Sequence, residues 1–134
     1  MHLITIILVV IFVIGIASCK KDETEREQTF VFTAELVSFN WPSGGYRNQP
    51  SLDSYSYRNH IISVCNSVHR SYNAPTEKLV EPIISEGYSD VCTYIVRAML
   101  EYDVYYYEKN FSIQVIVKDT SGNIKDTKMM SFPK

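Results

Sequence analysis

An unbroken apolar run from Leu3 to Ser18, closed by Cys19 and followed at once by Lys20-Lys21-Asp22-Glu23, constrains this chain most, because it separates the first residues from everything that can build a core. As a helix the run would reach about 24 Å, short of the roughly 30 Å hydrocarbon core of a bilayer. It therefore reads as the apolar segment of a signal peptide over residues 1–18, and the small pair Ala17-Ser18 suits the extended backbone that a peptidase must reach. Residues 19–28 carry Lys-Lys-Asp-Glu-Thr-Glu-Arg-Glu-Gln, which cannot bury apolar surface and reads as a solvated tether. One domain, residues 29–134, is what remains: it is large enough to bury about two thirds of its unfolded surface and too small to divide in two.

Ile16-Ala17-Ser18-Cys19 resembles the lipobox of bacterial lipoproteins, and Ser-Cys-Lys-Lys-Asp-Glu resembles the start of many lipoproteins of the Bacteroidetes. The resemblance covers about the first 27 residues. It implies that Cys19 is lipid-modified and becomes the new N-terminus, so that the partner at this end is a membrane. It also implies a place in the cell envelope, as an outer-membrane lipoprotein facing the periplasm or the cell surface. The n-region departs from the pattern, since Met1-His2 carries no Lys or Arg. An uncleaved anchor helix, and a plain secretory signal with an incidental cysteine, are the competing readings.

The formal net charge is −2, with both signs interspersed, which leaves no basic face for nucleic acid. With Cys19 committed to lipid, Cys65 and Cys92 form an even pair in a compartment outside the reducing cytosol, and a disulfide is expected. Closing that loop of about 28 residues would add roughly 3–4 kcal/mol on the chain-entropy model. Two buried free thiols are the alternative.

Thr29 to Trp41 is dense in β-branched and aromatic residues and reads as a strand, ended by Pro42-Ser43-Gly44-Gly45. Residues 52–72 fit either a helical face (Ile61, Val64, Cys65, Val68) or a strand face (Ile62, Val64, Val68), with residue preferences leaning to strand. Leu79 to Ser85 reads as a short strand interrupted by Pro82, with a turn at Glu86-Gly87. Thr93 to Tyr105 alternates as a strand would, with Tyr94, Val96, Ala98, Leu100, Tyr102 and Val104 on one side. Phe111 to Lys118 and Ile124 to Phe132, joined through Ser121-Gly122-Asn123, read as a β-hairpin. Five or six strands at this spacing predict an all-β fold, an antiparallel immunoglobulin-like sandwich. If residues 52–72 are helical, the alternative is α+β, a helix on a four- or five-stranded antiparallel sheet in the order of the cystatin fold. The inhibitory Gln-Val-x-Val-Gly loop of that family has no counterpart here, so the resemblance concerns fold and not protease inhibition.

Chemistry-bearing patterns are sparse. His69 follows Cys65 by one helical turn, but a disulfide and a surface histidine explain the pair as well, with no third orienting residue in sight. His60 and His69 lack the spacing of zinc ligands, so no metal or cofactor is expected. Asp119-Thr120-Ser121-Gly122 resembles an aspartic-protease loop interrupted by Ser121, and reads as a turn. Glu77, Glu81 and Glu86 surround a weak strand and read as solvated charges, not a glycosidase pair. Tyrosine stands out, with ten in the chain. Tyr46, Tyr55, Tyr57, Tyr102, Tyr105, Tyr106 and Tyr107 are the candidate contact face, since tyrosine suits protein or glycan recognition; packing on a sheet is the rival explanation. Trp41 would join that face if exposed. The expected function is a non-catalytic binding or accessory domain, with a structural or inhibitor-like α+β domain as the alternative and a small hydrolase behind both.

Overall fold

The computed structural model describes residues 28–75 and 79–134. The signal peptide, Cys19, the tether up to residue 27, and Glu77 lie outside the described residues. The chain runs β1 (Gln28–Asn40), α1 (Ser54–Asn66), β2 (Arg70–Ala74), α2 (Glu81–Tyr102), a 3-10 turn (Tyr106–Glu108), β3 (Asn110–Lys118) and β4 (Ile124–Phe132). The strands form one antiparallel sheet in the order β2-β1-β3-β4. Phe30 and Phe32 of β1, Ile113, Val115 and Val117 of β3, and Met130 and Phe132 of β4 bury one face of it. Both helices cover that face.

The fold is therefore α+β and not an all-β sandwich: the α+β alternative is the one that stands, with a second helix that the cystatin order does not contain. The segments expected as strands at 79–85 and 93–105 are largely a single helix, α2. Its buried residues Tyr88, Val91, Ile95 and Met99 recur at steps of three and four, the seam of an amphipathic helix. The apparent alternation arose because Tyr94, Val96, Ala98 and Leu100 flank that seam and are half-buried on either side of it. Pro82, read as a strand breaker, sits in the first turn of α2, where a missing N–H costs no hydrogen bond. Gly87, read as a turn, lies inside the helix because a Cβ there would come within 2.2 Å of Cζ of Phe32.

In α1, Tyr57, Ile61, Val64 and Cys65 line one buried face. Asp53 caps the helix by accepting the Ser56 N–H at 2.8 Å, a bond that holds its carboxyl below the usual carboxylate range. The expected hairpin is present as β3–β4. Asp119 shapes its turn, accepting the N–H groups of Ser121 and Asn123 at 2.9 Å, while Gly122 supplies the positive φ of 84°.

Cys65 and Cys92 are both free, so the expected disulfide is not formed. Cys65 faces the core from α1, whereas Cys92 lines a groove between α2 and β4 beside Lys128 and Met130.

Candidate functional site

The end of α2, the loop after β1 and the start of β3 meet at one corner of the domain. Asp103 ends α2, donating its own N–H to the Met99 carbonyl at 2.8 Å, and Lys109 immediately precedes β3. The 3-10 turn between them folds the chain back so that Lys109 Nζ lies 2.8 Å from Asp103 Oδ2, with the two side chains 0% and 2% exposed. A buried pair survives only when its remaining hydrogen-bonding capacity is met. Here it is met from three directions. Tyr57 of α1 donates its hydroxyl to Asp103 at 2.8 Å, Gln49 donates its amide at 2.7 Å, and the Tyr105 N–H donates at 2.9 Å. Lys109 in turn donates to the Gln49 side-chain carbonyl and to the Tyr105 carbonyl. Its ammonium also lies over the Tyr46 ring, 4.4 Å from the centroid, and within 5.4 Å of the Tyr57 centroid.

Burial works against the Asp103 carboxylate, but the bonds from Lys109, Tyr57, Tyr105 and Gln49 together outweigh it and hold the group below the usual range. The same burial, with the adjacent carboxylate accepting its proton, pushes the Tyr57 phenol well up. The side-chain polar atoms of Asp103, Lys109 and Gln49 and the Tyr57 hydroxyl all bond within the cluster, which ties α1, the end of α2 and the start of β3 to one another. Gln49 and Tyr46 tie the loop after β1 to it. That loop turns at Gly44 and Gly45, whose φ values of 87° and 77° favour glycine.

Outside this knot lies a hollow of about 280 Å³, lined by Asn40, Trp41, Pro42, Tyr46, Glu108 and Asn110. Its aromatic wall is fixed from behind. Trp41 packs against Phe39 at 5.7 Å and Tyr57 at 5.7 Å, and meets Tyr46 edge to face at 4.8 Å and 86°. Asn40 and Asn110 stand directly opposite each other across the β1–β3 ladder. Glu108 accepts the Asn48 side-chain amide at 3.0 Å, which fixes its carboxylate on the rim.

The tyrosines expected to share a contact face are divided between the core and the surface. Tyr57 and Tyr106 are fully buried and belong to the core, because each supplies a ring to it and has a partner for its hydroxyl: Asp103 for Tyr57, the Lys134 N–H at 2.8 Å for Tyr106. Tyr46 is half-buried in the wall of the hollow. Tyr102, Tyr105 and Tyr107 are exposed around the end of α2, and Tyr55 is exposed on the first turn of α1. Tyr102 stacks on His60 with ring centroids 3.6 Å apart, and burial holds that imidazole below its ordinary pKa. The Cys65–His69 arrangement does not form. His69 lies beyond the end of α1, and burial pushes the Cys65 thiol up to about 11, away from the thiolate a nucleophile needs. Of the residues lining this hollow, Trp41 and Tyr46 were candidates from the sequence; Asn40, Glu108 and Asn110 were not, since only the β1–β3 register and the 3-10 turn bring them to one place.

No protein-family model, no curated protein and no solved structure matches this chain.

Proposed function

We propose that this chain is a structural or inhibitor-like α+β domain in the broad sense: it works by presenting a rigid surface to another molecule and performs no reaction of its own. Cys19 tethers it by lipid to the cell envelope. The observation that carries the reading is the saturated Asp103–Lys109 pair directly behind Trp41 and Tyr46. It commits its own two charges to internal bonds and leaves the aromatic surface before it preorganised. Preorganisation of that kind lowers the entropic cost of association and is what a recognition face requires. The tethering rests on the lipobox-like residues and the charged run behind them.

A photo-crosslinking side chain placed at Tyr46 or Tyr107 in the full chain, in its native cells, should yield defined adducts. The same probe at Lys118, at the far end of β3, should not. Adducts at neither corner position, or equal adducts at Lys118, would sink the reading. Labelling with a fatty-acid analogue should mark the wild-type chain and leave Cys19→Ala unmarked; an unlabelled wild type would refute the anchor.

A further inference from the structure

The hollow beside Trp41 combines two surfaces of different chemistry. One is aromatic and nearly right-angled, formed by the Trp41 and Tyr46 rings. The other is polar and short-armed: the Asn40 and Asn110 amides, which both donate and accept, and the Glu108 carboxylate, which accepts. A pyranose ring matches this division, because its C–H faces pack on aromatic rings while its hydroxyls radiate toward amides and carboxylates. The volume of about 280 Å³ sits near the lower end of small-ligand sites and suits one or two such rings, not a helix.

Charge narrows the class from both sides. None of the lining residues is cationic, and Glu108 stands on the rim, so phosphates, uronates and other anions are repelled. Aromatic corners with a carboxylate often take ammonium ligands instead. Here one face of the Tyr46 ring is already occupied by the Lys109 ammonium at 4.4 Å, so the aromatic corner has no free pair of ring faces to enclose a second cation. Lys109 itself is 0% exposed and cannot reach a ligand. What remains is neutral, polyhydroxylated and ring-shaped.

We infer that the hollow formed by Asn40, Trp41, Tyr46, Glu108 and Asn110 binds an uncharged sugar ring of a glycan. This inference rests on the recognition-domain reading above and names its ligand class. Trp41 is the chain's single tryptophan, so its emission reports on this hollow alone. The full chain, purified in a detergent without a sugar headgroup, is titrated with glucose, galactose, mannose, N-acetylglucosamine and their β-1,4-linked dimers, and with glucuronate and choline as charged controls. At least one neutral sugar should give a saturable change that neither control gives. Tyr46→Ala should weaken it by about tenfold. Asn110→Ala, at an exposed position that leaves the core untouched, should weaken it by about fivefold with an unchanged melting temperature. Response to choline or glucuronate alone, or undiminished affinity in Asn110→Ala, overturns the inference. Silence toward every sugar also overturns it. If crosslinks at Tyr46 persist in that case, only the ligand class was wrong; if they vanish too, the recognition reading falls with it.

Discussion

Helix α2 is held to the rest of the molecule mainly by close packing around Gly87, with hydrogen bonds from the Tyr72 and Tyr88 hydroxyls to Asp90 and Asp126 at the margins, and by charge at its end. Around Gly87, the helix approaches β1 closely enough for the Phe32 ring to occupy the place of a side chain, and Tyr88 and Tyr72 meet that ring edge-on at 5.4 and 5.3 Å. At Asp103, the helix ends in a buried ion pair whose every partner has a required direction. Non-directional packing tolerates compensating changes of volume, whereas a low-dielectric polar network tolerates almost none, because each partner removed leaves another buried and unmet.

The sharpest way to break this contrast is Lys109→Met, which strands the Asp103 carboxylate and should cost about 4 kcal/mol by denaturant titration. Adding Asp103→Leu should recover no more than about half, since the Tyr57 hydroxyl and the Gln49 amide then lose their acceptor. Full recovery would show that the corner is packing like the rest. At the other end, Gly87→Ala should cost about 3 kcal/mol through overpacking against Phe32, and Phe32→Leu in the same chain should return most of it. If no recovery follows, the seam is not a matter of volume.

Acid should weaken the two ends unequally. The folded pKa of Asp103 lies below its unfolded value of about 3.9, so its contribution is complete above that pH and is lost as pH falls through the folded value. Melting temperature should therefore drop below about pH 4, and Asp103→Asn should flatten part of that drop. Asp53 and Asp119 are shifted in the same direction and account for some of the remainder. Smallest of all, Asp53→Ala removes the cap of α1 and should lower the melting temperature by less than either core substitution.

Strand β1 and the β3–β4 hairpin could be read from the residues, because a period of two with a glycine turn is a local signal. Helix α2 could not. Its seam is bordered on both sides by half-buried apolar residues, which gives Tyr94 to Val104 a false alternation, and its Pro82 and Gly87 look like punctuation until their partners are known. Pro82 fits because first-turn N–H groups have no helical acceptor to lose, and Gly87 fits because Phe32, far away in sequence, fills the space above it. The same limit applies to the tyrosines: composition shows their number, but whether Tyr57 points to Asp103 or to solvent depends on a residue 46 positions away.

Local periodicity, the charged boundary after Cys19 and the turn glycines were fixed by the order of amino acids, since each depends on neighbours a few bonds apart. The second helix, the burial of Lys109 and the meeting of Asn40 with Asn110 were decided by tertiary structure, since each depends on free energy gained only when distant segments exclude water between them.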